Sequence, residues 1–239
     1  ALARVHQMAD DCPGPPVHCL RDVAVYRHDL ELLRPGQWLN DTIIAYFFES
    51  FRKAAADQSP DKALTFLLLE PAVAFMAAMF REPEILKEAL SVRTTKSEPS
   101  IMELMTGAQL LVLPINDKDD PNEHSGGSHW SLLCYRNGCF EHYDSHREQN
   151  AFRAKEVARC LGPLLGTSTT PKVVQMAAPQ QSNGYDCGMY VLAIAKKLCS
   201  LLLEDELPAV GEVHISIRSI TPLDISRLRE QFYNALQAQ

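Results

Sequence analysis

Cys187 stands where a polar stretch, Pro179 to Asp186, gives way to an apolar run that continues to Leu203. A thiol in the first turn of a helix meets unpaired backbone N–H groups and the positive end of the helix dipole, which favour a thiolate over a thiol. Such a thiol can attack a carbonyl carbon, and its own backbone N–H can point at the oxyanion that develops. Gln180, Gln181, Ser182 and Asn183 lead into it, and a side-chain amide among them can donate a second hydrogen bond to that oxyanion. Gly188 is unusual so early in a helix unless another part of the chain approaches its backbone closely. The competing reading is that a free cysteine is a small buried hydrophobe, as expected for Cys134, Cys160 and Cys199, which sit in apolar runs.

A cysteine nucleophile needs a base, and the segment His129 to His146 contains candidates. Two β-rich runs meet there at Asn137-Gly138, a strong signal for a two-residue hairpin turn. Such a turn places Arg136 opposite Cys139, Ser131 opposite Asp144 and His129 opposite His146. Because side chains alternate along a strand, His129, Ser131 and Asp144 share a face. His129 and Asp144 are then diagonal neighbours, roughly 7–8 Å apart at the backbone, within reach of a side-chain hydrogen bond. His142 lies on the same face and His146 directly across from His129, so this geometry alone does not rank the three histidines. A solvated polar hairpin face would explain the same residues without chemistry.

The elements that must position these groups are legible from caps and periodicity. Asn40 is a candidate N-cap for a helix whose Ile43, Ile44, Phe47, Phe48 and Phe51 fall on one face. PAVAFMAAMF and EPEILKEAL read as two short helices, each opened by a proline. Leu110 to Asn116 is a strand, and residues 117–127 form a polar loop. Further helices are expected over Asn150–Leu165, Cys187–Leu203 and Ile225–Gln239, with a strand at Lys172–Ala177. Helices, then strands, then helices indicate an α+β fold. The first 20 residues contain three prolines and no periodicity and are expected to be a loose arm, followed by one domain over 21–239.

Composition narrows the class. A net charge of -7 argues against binding a phosphate backbone and permits a basic protein partner. Seven cysteines without a CxxC pair fit a reduced, intracellular protein. His18, Cys12 and Cys19 match no zinc spacing. The most apolar segment, Leu64 to Phe80, is broken by Glu70-Pro71 and reads as core rather than a membrane span.

Four ordered motifs, WLNDTII at 38–44, HWSLL at 129–133, HYDSH at 142–146 and PQQSNGYDCGMYV at 179–191, resemble the ubiquitin-like-protein processing cysteine proteases, the sentrin/SUMO proteases and the deneddylases. The resemblance spans roughly Leu30 to Leu203. It implies a papain-like fold in circularly permuted form, a mixed sheet flanked by helices. It implies Cys187 as nucleophile, His129 as general base and later acid, and Asp144 as the residue orienting the imidazole. Gln181 falls where the family places its oxyanion-hole glutamine, with Gln180 as the alternative. Trp38 and Trp130 fall where aromatics enclose the tunnel for the modifier's Gly-Gly tail. For Trp38, a core residue before a buried helix is an equal alternative, and Asp41 is a further candidate contact. The loop at 117–127 corresponds to a family segment that orders around substrate.

The SUMO branch typically reads HWCL, YDSMGG and NGSDCG. HWSLL, YDSH, NGYDCG and the leading SGGSHW here resemble the deneddylase branch, an assignment carried by Ser131, His146, Tyr185 and Gly126-Gly127. The expected activity is maturation of a Nedd-type precursor and release of the modifier from lysine isopeptide bonds, by a monomer in cytoplasm or nucleus, without cofactor, metal, nucleic acid or membrane. The alternatives are a SUMO-specific or dual protease, a non-catalytic module that binds a ubiquitin-like protein, and an acetyltransferase on a related fold that uses a thioester acyl donor.

Overall fold

The computed structural model describes residues 14–93, 95, 97–118, 127–168 and 170–237. Most of the expected arm, including Cys12, and residues 119–126 of the polar loop lie outside this set. The arm's described end departs from expectation. His18–Leu20 forms β1, paired antiparallel with β2 (Val23–Val25), and the Val17 N–H donates to the Val25 carbonyl at 2.8 Å. The His18 ring also hydrogen-bonds the Leu236 carbonyl near the end of the chain. Three-residue strands carry too little alternation to be read locally; pairing and a distant anchor define them.

After α1 (Arg27–Glu31) comes α2 (Asp41–Gln58), capped by Asn40 as expected: its side chain accepts from the Ile43 N–H at 3.0 Å. The Asn40 amide also donates to the buried Asp29 carboxylate at 2.7 Å, which fixes how the chain enters the helix. Ile43, Ile44, Phe47 and Phe48 are buried and Phe51 is partly buried, so the apolar stripe faces the core. Then follow α3 (Pro60–Ala63), β3 (Phe66–Leu68), α4 (Pro71–Phe80), α5 (Pro83–Ser91) and α6 (Ile101–Gly107). The expected core segment 64–80 is therefore two elements, and its first residue, Leu64, is exposed. α6 was not expected; its start is set by a capping box in which Ser100 and Glu103 satisfy each other's backbone N–H groups.

β4 (Leu110–Asn116), β5 (Trp130–Arg136), β6 (Cys139–Tyr143) and β7 (Val173–Met176) complete a mixed five-stranded sheet in the order β3-β4-β5-β6-β7. The outer pairs are parallel and the inner pairs antiparallel. Pro114 is tolerated in the interior strand β4 because β3 pairs only as far as Val112, leaving its missing N–H no partner to deprive. The remaining helices are α7 (Ala151–Leu161), α8 (Cys187–Leu203), α9 (Ile215–Arg218) and α10 (Pro222–Gln237). The helix expected over 150–165 ends earlier, and Pro163–Leu165 is a separate 3-10 turn.

Both sheet faces are covered, which is why the strands read as continuous apolar runs. Leu110, Val112, Leu132, Cys134 and Tyr143 pack with α2 and α8, while Leu111, Leu113, Ile115, Leu133 and Phe140 pack with α4, α5 and α7. Phe232 of α10 stacks on Phe47 of α2, ring centroids 3.7 Å apart, so the C-terminal helix is part of the first core. The expected α+β class and mixed sheet are therefore present. Asn40→Ala removes the cap on α2 and should lower unfolding free energy by about 1–2 kcal/mol in urea denaturation; no loss would show the cap to be redundant.

Candidate active site

The hairpin has the expected register. Asn137 and Gly138 both have positive φ, 48° and 76°, as a type I′ turn requires, and Arg136 pairs with Cys139 and Leu133 with His142. The ladder stops at Tyr143, one residue before Asp144. His129 Nε2 lies 2.6 Å from Asp144 Oδ1. The pair is not on a solvated face: His129 is 2% exposed, and Asp144 is equally buried. Asp144 also accepts from the backbone N–H groups of His146 at 2.8 Å and Asn150 at 2.9 Å. Burial alone would raise its pKa, but the His129 hydrogen bond and these backbone donors hold it below the usual carboxylate value.

Sequence reasoning missed two residues that brace His129. Asp117, opposite His129 where the β4–β5 register continues, accepts from the His129 N–H at 3.0 Å and from the Ser128 hydroxyl at 2.7 Å. Asn150, buried at the foot of α7, donates its amide to the His129 carbonyl at 3.2 Å. No signal in the sequence distinguished Asp117 from the other loop acids, because the β4–β5 register depends on where the loop closes.

Cys187 is the first residue of α8 and 2% exposed. Its thiol faces the same cleft as His129 and is close enough to act on the ring's charge. Burial would lower the His129 pKa, but hydrogen bonds and charges from Asp144 and Cys187 outweigh it and carry the value up to about 9. The other histidines are placed differently. His142 is buried with both ring nitrogens occupied, by Gln175 Oε1 at 2.6 Å and Ser131 Oγ at 2.9 Å, and burial lowers its pKa. His146 is exposed, its ring edge-on to His129 with centroids 5.7 Å apart.

Gly188 has the close neighbour its position implied. A Cβ there would lie 3.0 Å from the Leu39 Cβ and 3.2 Å from its Cγ. The two glutamines also differ. Both amide hydrogens of Gln180 have carbonyl acceptors, Asp144 at 3.0 Å and Ala178 at 3.1 Å. Gln181 donates to the Asn183 carbonyl at 2.7 Å and accepts from the Ser145 hydroxyl at 2.8 Å, which leaves its second amide hydrogen to donate elsewhere.

A cleft of about 700 Å3 opens onto Cys187 and His129, lined also by Trp38, Asp41, Phe75 and Trp130. Trp38 is 50% exposed and therefore not core; its indole N–H donates to the Gly184 carbonyl at 2.6 Å, against the turn before the cysteine. Trp130 is only 4% exposed and donates to the Leu39 carbonyl at 2.9 Å, so it mainly braces the cleft wall that Trp38 tops. Asp41 sits at the mouth, where burial raises its pKa against the opposing charge of Lys118. Among the described residues no cluster of three or more His, Cys, Asp or Glu is arranged to hold a metal ion.

A helix-borne thiol, an imidazole and a carboxylate in a row beside a mixed sheet define a cysteine peptidase. The match to the family described as the Ulp1 protease family, C-terminal catalytic domain, covers residues 37–234, and the chain belongs to that family. It is 32% identical over 226 residues to the mouse protein named sentrin-specific protease 8, covering 91% of this chain and 90% of that one. It is 31% identical over 210 residues to the probable sentrin-specific protease 8 of Dictyostelium discoideum, covering 83% and 81%. The Arabidopsis thaliana protein named NEDD8-specific protease 1 is 28% identical over 213 residues, covering 88% and 87%. Among solved structures, the Ulp1 protease domain in complex with SMT3 superposes with a TM-score of 0.63 at 17% identity, covering 99% of this chain and 93% of that one. That likeness is one of fold.

Two measurements follow from the geometry. The folded His129 pKa of about 9 lies above the free value of 6.5, so the protonated ring contributes to stability fully below pH 6.5 and ceases to as pH rises through about 9. NMR titration of the ring should show a midpoint near 9 that falls in Asp144→Asn; a wild-type midpoint at 6.5 would refute the coupling. Gly188→Ala should cost about 1–3 kcal/mol by overpacking against Leu39 and should lower peptidase activity; an unchanged variant would mean that Leu39 yields freely.

Proposed function

We propose that the chain is a deneddylase: it trims the C-terminus of a Nedd-type ubiquitin-like precursor and cleaves the modifier from lysine side chains of target proteins. The observation that carries the mechanism is the set Cys187, His129 and Asp144, with Cys187 and His129 lining the cleft and Asp144 bonded behind the ring, together with a Gln181 amide that keeps one hydrogen free. The Nedd-type assignment is supported by the names of the relatives, sentrin-specific protease 8 and NEDD8-specific protease 1 and 2, together with the branch residues in the motifs.

In this reading His129 takes the proton of Cys187, or the two already stand as an ion pair, and the sulfur attacks the carbonyl carbon of the modifier's last glycine. The oxyanion is met by the Cys187 backbone N–H and the Gln181 amide. Imidazolium then protonates the leaving amine, which is a peptide or lysine nitrogen, and a thioester forms. Neutral His129 next takes a proton from water, the hydroxide adds to the thioester, and the tetrahedral species collapses to free carboxylate and thiolate. Trp38 closes over the extended tail, Trp130 holds the wall beneath it, and Asp41 faces the modifier at the mouth. A single protease domain working as a monomer in a reducing compartment, cytoplasmic or nuclear, completes the proposal.

The test is reaction with C-terminally electrophilic probes made from NEDD8, SUMO and ubiquitin, followed by peptide mass spectrometry. An adduct on Cys187 with the NEDD8 probe alone is expected. Capture by SUMO would keep the chemistry and overturn the substrate, and no adduct from folded protein would leave a binding module. Cys187→Ala should abolish turnover while retaining modifier binding. Gln181→Ala should lower kcat by about 10²–10³-fold, and Gln180→Ala far less; equal effects would overturn the choice between them.

A further inference from the structure

The last helix reaches the nucleophile's turn through one buried side chain. Arg229 of α10 is 3% exposed, and all five of its N–H donors have acceptors. Nε and Nη2 donate to Asp186 Oδ1 at 3.0 and 2.7 Å, and Nη2 also to the Tyr185 carbonyl at 3.5 Å. Nη1 donates to the Leu32 carbonyl at 2.9 Å and the Arg34 carbonyl at 3.3 Å, on the segment that leads to Trp38. The guanidinium also lies over the Tyr185 ring, 5.6 Å from its centroid.

Asp186 occupies the N-cap of α8 but makes no cap hydrogen bond with its side chain. Its second oxygen accepts from the Asn183 amide at 2.7 Å. Asn183 Oδ1 in turn accepts from the N–H groups of Tyr185 at 3.1 Å and Asp186 at 3.0 Å, and the Asn183 carbonyl receives the Gln181 amide. An unbroken path thus runs from Arg229 through Asp186, one residue before the cysteine, and Asn183 to Gln181. A buried ion pair is rarely more stabilising than apolar residues of the same size. What this one supplies is a fixed position for a turn that has no regular secondary structure of its own.

The geometry points to Arg229 as a positioning residue: through Asp186 and Asn183 it sets the Gln181 amide and the first turn of α8 against the oxyanion, and through the 32–34 carbonyls it holds the Trp38 side of the cleft to the same frame. The inference rests on the reading of Cys187 and Gln181 given above. Lysine cannot replace it, having three donors on a point charge instead of a five-donor planar fork.

The test compares the full chain with Arg229→Lys, with Arg229→Met combined with Asp186→Asn so that no lone buried charge remains, and with Phe232→Leu. The last loosens α10 against Phe47 without touching the network. Steady-state hydrolysis of a NEDD8 C-terminal reporter, thermal melting and alkylation of Cys187 by iodoacetamide are measured on each. Positioning predicts that both Arg229 variants lose on the order of 10- to 100-fold in kcat with KM nearly unchanged. Alkylation, which develops no oxyanion, should fall much less, and adding Gln181→Ala should cost little more. Phe232→Leu should keep kcat despite a lowered melting temperature. If Phe232→Leu loses kcat in proportion to its melting temperature as the Arg229 variants do, or if the Gln181→Ala loss is fully additive, the role of Arg229 is structural only and the inference fails. Should wild type turn over no NEDD8 reporter while Cys187→Ala binds as wild type does, the functional proposal fails instead.

Discussion

The 2.6 Å contact between His129 and Asp144 governs the rest of the molecule. A carboxylate removed from water stays charged only if enough donors face it, and here the imidazole and two backbone N–H groups do. That charge holds a proton on His129 to a pH where a free imidazole would have lost it. The remainder of the fold keeps these groups dry and still. Asp117 and Asn150 grip the His129 backbone from the ends of β4 and α7, so the ring is held by its main chain as well as its side chain.

Two architectures meet at the thiol. The sheet contributes the base and its carboxylate through a hairpin whose register follows from two residues with positive φ. The helix contributes the nucleophile at the end where its unpaired N–H groups point outward. Gly188 lets α8 come within van der Waals contact of Leu39, between Trp38 and the cap of α2. The cleft wall and the nucleophile are thereby one packed unit, and the Trp38 indole ties them again at Gly184.

The residues on which the expected deneddylase assignment rests do different physical work from one another. Ser131 is buried and hydrogen-bonded to His142, whose other nitrogen is held by Gln175, so it acts behind the site and not on a substrate surface. Gly127 has φ 90°, and a Cβ there would collide with the Asn116 amide at 1.8 Å, so glycine lets the loop close on the Asp117 clamp. Tyr185 underlies the Arg229 guanidinium, and His146 is exposed with its ring edge-on to His129.

Local signals determined much of this protein. Asn137-Gly138 determined a register, and with it the proximity of His129 and Asp144; Asn40 and the polar-to-apolar change at Cys187 determined two helix starts; and four motifs pointed to a cysteine protease family. Each depends on residues within a turn or a short strand of one another, where backbone sterics leave few choices. Tertiary structure decided which histidine meets the thiol, which glutamine keeps a donor free, that Trp38 is exposed and Trp130 buried, and that His18–Leu20 is paired. It also brought Arg229, 43 residues beyond Asp186, into the nucleophile's turn. A hydrogen bond between distant segments has no period or spacing in the chain; it exists only once the core between α2, α8 and α10 has closed and left a buried charge with a single place to go.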